Sequence, residues 1–175
     1  MNSRDDTELV RRCLAGHVAA FEPLVAKYHK VLFGVALRLV NDYEDARDLT
    51  QTTFMKAFEK LNTYDPNHKF FSWIYRILVN ESLNLMKRRK PQEALDAGRV
   101  LALESLDGTP ADDYERRRLA DVVQTAIMQL NAEARQVLVL RHFADLSYEE
   151  IASTLEIPEK TVKSRLFAAR RQLCS

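Results

Sequence analysis

Glycine and proline are scarce, with four and five in 175 residues, and both disrupt helices when they fall inside one. Their rarity argues against a turn-rich β architecture. Long stretches in which apolar residues recur at about 3.6-residue spacing predict an all-α chain instead. Cysteine is equally sparse. Cys13 and Cys174 lie near opposite ends with no second cysteine close to either, so neither a disulfide framework nor a structural zinc is expected, and a reducing cytoplasm fits. The most apolar run, Val31 to Val40, is interrupted by Arg38 and falls far short of the ~20 residues of a membrane span. The first residues carry Asp5, Asp6 and Glu8 and lack the basic-then-apolar layout of a signal peptide. His17, His29, His68 and His142 are scattered, without a nucleophile or metal partner at useful spacing. No catalytic residue, metal, cofactor or small-molecule substrate is therefore expected.

The net charge of +1 hides a division along the chain. Residues 87–90 are all basic, and Pro91 to Glu115 holds seven acids against Arg99 alone. From Arg116 onward ten basic residues face seven acidic ones. A near-neutral total of this kind conceals basic patches separated by an acidic stretch.

The periodicity predicts two small helical domains, residues 1–90 and 116–175, joined by a flexible acidic linker over 91–115 that has a short helical piece near Ala94 to Leu103. In the first domain Asp5 or Asp6 is expected to cap a helix that ends at Gly16. A second helix runs from about Val18 to Val40 with Pro23 in its opening turns. Asp42 caps a third, whose inward stripe is Ala46, Leu49, Thr53, Phe54, Ala57, Phe58 and Leu61. Asn62 to Lys69 reads as a loop, and a fourth helix covers about Phe70 to Arg89. In the second domain Leu119, Val122, Val123, Ala126, Ile127 and Leu130 mark one strongly amphipathic helix. Asn131 caps the next, through about Phe143.

Ser147-Tyr148-Glu149-Glu150 has the capping-box pattern and opens a short helix. Glu156-Ile157-Pro158 breaks it, and a last helix follows. Two short helices joined by a tight turn form the helix-turn-helix signature. On a wheel of the last helix, Val162, Leu166, Ala169 and Leu173 share the buried arc. Lys160, Lys163, Ser164, Phe167 and Arg171 face outward, flanked by Arg165 and Arg170. Lys and Arg reach guanine edges or phosphates, Ser hydrogen-bonds either, and Phe meets a thymine methyl. A merely solvated basic face is the plainer reading, but it has little use for an exposed Phe167. The fourth helix carries a second stripe, Trp73, Arg76, Asn80, Leu83, Asn84 and Lys87, that runs into Arg88. Rings, amides and cations in one stripe suit unpaired bases and their backbone. A core-facing Trp73 with solvated asparagines fits the stripe equally well.

Three strings in order resemble the sigma-70 family, specifically the small extracytoplasmic-function (group IV) sigma factors. They are Asp42-Tyr43-Glu44-Asp45-Ala46-Arg47-Asp48-Leu49-Thr50-Gln51 with Thr53-Phe54; Phe71-Ser72-Trp73-Ile74-Tyr75-Arg76-Ile77 with Asn80; and Leu146-Ser147-Tyr148-Glu149-Glu150-Ile151-Ala152 with Thr161-Val162-Lys163-Ser164-Arg165-Leu166. The resemblance implies a non-catalytic factor that docks on core RNA polymerase through the β′ clamp helices and the β flap and selects promoter DNA. It places Glu44, Asp45, Asp48, Gln51 and Phe54 on the clamp-binding surface. It assigns Asn80 and Asn84 to the −10 element, in a stripe with Trp73, Arg76, Lys87 and Arg88. Lys163, Ser164, Phe167 and Arg141 match −35-reading positions. An anti-sigma factor, in the cytoplasm or at the inner membrane, is the partner the family implies. The chain departs from the family by carrying Glu156 and Lys160 where glycines are usual, and Ala168 where a basic residue is common. A helix-turn-helix regulator that acts without polymerase, and a helical adaptor that binds only proteins, are the competing readings. The first lacks a receiver or ligand-pocket pattern in the N-terminal half, and the outward Lys163, Phe167 and Arg171 oppose the second.

Overall fold

In a computed structural model, residues 3–88 and 110–173 are described, and among them the chain is helical without strands. Helix α1 (Ser3–Leu14) ends at Gly16, whose φ of 97° belongs to the left-handed region that glycine enters without strain. A short 3₁₀ turn (Val18–Phe21) leads into α2 (Glu22–Val40), with Pro23 in the first turn as predicted. Asn41 closes α2 in the left-handed conformation, its N–H donating to the Leu37 carbonyl at 2.8 Å. Asparagine is one of the few residues to adopt that conformation readily. The adjacent Asp42 accepts from the Asp45 N–H at 2.9 Å and starts α3 (Tyr43–Glu59). Two residues thus reverse the chain by capping one helix and opening the next. After a 3₁₀ turn (Leu61–Thr63) and a loop, α4 (Phe70–Arg88) completes the first domain.

Leu24, Tyr28, Leu32, Leu39, Ala46, Ala57, Phe70, Ile74 and Leu78 are wholly buried among these helices. Thr50 and Thr53 join them, since each hydroxyl donates to the carbonyl four residues back at 2.7 Å and enters the core without an unmet donor. Asp6 does not have the capping role expected of it. The helix begins at Ser3, and Asp6 is buried, accepting from the Tyr28 hydroxyl at 2.6 Å and from Lys27 Nζ at 2.5 Å. Burial, reinforced by this carboxylate, raises the Tyr28 pKa well above its ordinary value.

Helix α5 (Pro110–Gln129) starts inside the span expected for the linker, so residues 110–115 are its first turns. The helical piece predicted near 94–103 lies outside the described residues. Asn131 caps α6 (Ala132–Phe143) through the Ala134 N–H at 2.8 Å. Ser147 and Glu150 form the predicted capping box of α7 (Tyr148–Leu155), and α8 (Glu159–Leu173) follows a turn in which Glu156 has a φ of 54°. Val137, Val139, Leu140, Leu146, Ile151, Val162, Leu166 and Ala169 form this domain's interior.

The two domains share a surface, α6 against α2 and α7 against α4. Arg135 is buried there, with Nη1 donating to the Leu39 carbonyl at 3.0 Å and Nη2 to those of Met128 and Leu130. The Arg38 guanidinium lies 3.9 Å from the ring centre of Phe143. Burial lowers the pKa of both arginines. Each is held by carbonyls or a ring.

Candidate nucleic-acid interface

Helix α8 divides as its wheel predicts. Val162, Leu166 and Ala169 are buried, while Lys160, Lys163, Ser164, Phe167, Arg170 and Arg171 are exposed. Leu173, expected with the buried set, is instead 39% exposed. Phe167 keeps 69% of its surface in water. A ring that exposed recovers little hydrophobic energy from the fold itself. Lys163 donates to Glu159 at 2.6 Å, one turn earlier, which raises its pKa. It therefore stays cationic throughout the neutral range. The Ser164 hydroxyl donates to the Thr161 carbonyl at 3.0 Å and stays exposed, and a hydroxyl that donates once can still accept. Two residues expected at the −35 element, Arg165 of α8 and Arg141 of α6, are turned inward. Arg165 pairs with Glu133 at 2.8 Å and is mostly covered, and Arg141 donates to the Leu146 carbonyl at 2.8 Å with its guanidinium 5.5 Å from the Tyr148 ring centre. Both brace the helix-turn-helix; in this conformation they do not project from it.

The stripe on α4 is split. Asn80, Asn84, Lys87 and Arg88 are exposed. Trp73 is half-buried and tilted against Tyr64 and Phe70, with ring centres 5.7 and 5.5 Å away, so part of its indole belongs to the core. Arg76 lies beneath α7. Its Nη2 donates to the Ser153 carbonyl at 2.7 Å and its Nη1 meets Glu156 at 2.9 Å. Close by, Lys69 pairs with Glu150 at 2.5 Å.

On α3, Glu44, Asp48 and Gln51 are exposed and Asp45 is half-buried. Arg47 pairs with Glu44 and lies 3.7 Å from Asp48. Phe54 does not belong to this surface. It is 8% exposed, edge-on to Phe21 and stacked on His29. Met55 and Phe58 take its place, 57% and 41% exposed. They continue the outward row of 44, 48 and 51 at helical spacing, a signal that could have found Met55, whereas Phe58 leaves the inward stripe expected of it.

Helix α5 was expected to bury one long apolar face, yet Leu119, Val122 and Val123 are exposed while Ile127 and Leu130 are buried. Val122, Val123, Ala126, Ile127, Leu138, Phe143 and Leu173 line an apolar groove of about 470 Å³, to which His142 and Arg170 add polar groups. Among the described residues no helix is long and apolar enough to cross a membrane.

Residues 24–92 match sigma-70 region 2, and residues 120–173 match sigma-70 region 4. The chain is 34% identical to the RNA polymerase sigma-H factor of Pseudomonas aeruginosa over 99% of its own length and 94% of that protein's. It is 31% identical to the ECF RNA polymerase sigma factor SigW of Bacillus subtilis, over 94% of this chain and 92% of that one. Among solved structures, CnrH in complex with the cytosolic domain of CnrY is similar with a TM-score of 0.74 and 26% identity, over 97% of this chain and 95% of that one.

Proposed function

The chain belongs to the extracytoplasmic-function branch of the sigma-70 family, and from that premise we propose how its surfaces divide the work of promoter-specific initiation. The acidic and amide row Glu44, Asp48 and Gln51, with the half-buried Asp45 at its edge and Met55 and Phe58 extending it, docks on the β′ clamp helices of core RNA polymerase. Carboxylates steer a basic partner, and the two apolar side chains supply buried area at the contact. The apolar groove of α5, α6 and α8 receives the β flap. Helix α8 enters the major groove of the −35 element with Lys163, Ser164 and Phe167 at base edges and with Lys160, Arg170 and Arg171 on phosphates. Asn80 and Asn84 read unpaired bases of the −10 element while Lys87 and Arg88 hold the strand.

The observation that carries this reading is Phe167, a large ring left in water between cations on the outward face of a helix-turn-helix. The chain works in the cytoplasm and supplies no catalytic group of its own, since bond formation belongs to the polymerase. An anti-sigma factor that covers both domains is its controlling partner, a reading supported by the similarity to CnrH, whose structure holds CnrY. Gel filtration of the purified chain with core polymerase tests the docking half directly. Co-elution of the wild type and its loss in Asp48→Arg, with unchanged helical content, supports the assignment. Co-elution of both would overturn it. A regulator that acts without polymerase would bind promoter fragments yet never co-elute.

A further inference from the structure

The Pro158 carbonyl accepts from the N–H groups of Thr161 and Val162 at 2.8 and 3.2 Å, and Glu159 is the first residue of α8. In a helix-turn-helix the first residues of the second helix are the ones that contact base edges. An acid there also suits the helix dipole, which is the plainer reading of Glu159. What sets it apart is the partner of its carboxylate. One turn on, Lys163 Nζ donates to Glu159 Oε1 at 2.6 Å, and both side chains are exposed. The same ammonium is 5.8 Å from the ring centre of Tyr148, the first residue of α7. The Lys163 head is therefore tethered at the opening of α8 by a carboxylate and a ring from two helices.

A lone ammonium in a DNA groove is drawn to phosphate, because the backbone carries the negative charge. A phosphate repels the carboxylate beside this one, so the Glu159–Lys163 pair gains little there. On the edge of a base pair the two groups are complementary. Guanine presents N7 and O6 as acceptors, and its partner cytosine presents the N4 amine as a donor. O6 and N4 are hydrogen-bonded to one another within the pair, so they lie side by side, as Oε1 and Nζ do in the protein. A carboxylate accepts at both oxygens, so Glu159 can serve the cytosine amine while it holds Lys163. Reversing the base pair sets the ammonium against the amine and the carboxylate against O6, two repulsive contacts. A T·A pair also has an acceptor beside a donor, but thymine puts a methyl group where guanine has N7.

We propose that Glu159 is a specificity-determining residue: with Lys163 it reads a single G·C pair of the −35 element, Lys163 donating to guanine and Glu159 accepting from cytosine N4. This rests on the assignment of α8 to the −35 major groove made above. It adds to that assignment a residue of opposite charge and an orientation for one base pair.

The test uses the holoenzyme formed with purified core RNA polymerase. Its probe is a duplex promoter fragment, isolated by run-off transcription on genomic DNA, whose −35 segment is randomised. Bound and unbound pools are sequenced for the wild-type chain, Glu159→Ala, Glu159→Asp, Lys163→Ala, Ser164→Ala and Phe167→Ala. Asp121→Asn, which removes one charge at an exposed position of α5, is the control. The wild type is expected to enrich a G·C pair in one strand orientation at one position. Glu159→Ala and Lys163→Ala should each reduce that enrichment about tenfold, at the same position. Glu159→Ala should also bind the unselected pool at least as tightly as wild type, with a salt slope steeper by about one as Lys163 turns to phosphate. Glu159→Asp keeps the charge at the helix start but is a methylene too short to serve both partners, so its base preference should match that of Glu159→Ala. Unchanged enrichment in Glu159→Ala overturns the proposal. So does full recovery in Glu159→Asp, which assigns the acid to the helix dipole, or an equal loss in Asp121→Asn, which assigns the effect to net charge. If Ser164→Ala and Phe167→Ala alter the selected sequence while Glu159→Ala does not, the base-reading role of α8 stands without the pair. If no α8 substitution alters it, α8 does not read the −35 element and the pair falls with it.

Discussion

Arg135 of α6 donates to the carbonyl of Leu39 at 3.0 Å, near the C-terminal end of α2. One side chain therefore satisfies a helix-end carbonyl in the other domain, while its second nitrogen serves Met128 and Leu130 at the end of α5. Replacing it by Ala leaves three carbonyls without their donor in a covered site. We expect Arg135→Ala to lower stability by about 2–4 kcal/mol. The loss should be read from the midpoint of urea denaturation. A midpoint within error of wild type would show that these carbonyls find other donors.

Asp6 and Tyr28 form a second buried pair, and the carboxylate also holds Lys27. Asp6→Ala should cost about 2 kcal/mol, and a cycle with Tyr28→Phe should give a coupling of about 1 kcal/mol or more. Additive single mutants would mean that α1 is anchored by its apolar residues alone.

Much of this architecture can be read from local chemistry. Asp42, Asn131 and the Ser147–Glu150 box mark helix starts because a cap depends only on residues two or three positions away. Gly16 and Pro23 mark boundaries for the same reason. What local pattern cannot supply is the partner across the fold. A first-turn acid fits a cap as well as a buried bond, and Asp6 is decided by Tyr28, 22 residues away. Phe54 and Phe58 lie one turn apart on nearly the same face. Both rings meet Phe21 edge-on, but only Phe54 also stacks on His29 and is enclosed, a difference that lies across the fold. Arg76 falls on the outward stripe of its wheel and Arg141 is assigned to DNA by resemblance, and it is α7 and Leu146 that turn them in. The outward set of α8 was legible because three apolar residues at helical spacing define its inner side.

Phe167→Ala and Lys163→Ala should each weaken binding to a −35 element about tenfold, without changing the urea midpoint. Lys163→Ala should also flatten the salt dependence if it holds a phosphate, and relax base preference if it holds a base edge. Electrophoretic mobility shifts at several salt concentrations separate these outcomes. Equal affinity for all three proteins would remove α8 from the DNA.

Burial, with Arg170 and Arg141 nearby, holds the His142 imidazole below its ordinary pKa of 6.5. As pH falls below about 6.5 the unfolded chain takes up a proton that the folded chain resists. Stability should therefore decline across that window until the folded group also protonates. His142→Gln should flatten part of this slope in thermal melts between pH 7.5 and 5.5 (roughly the span over which an imidazole titrates). An unchanged slope would assign the dependence to other groups.

The most direct measurement is run-off transcription with purified core RNA polymerase on genomic fragments, using the wild-type chain and Phe167→Ala/Lys163→Ala in parallel. Discrete transcripts with the wild type, lost in a double variant that still co-elutes with polymerase, are the predicted result. Absence of any chain-dependent transcript, or identical transcripts from both proteins, would contradict it.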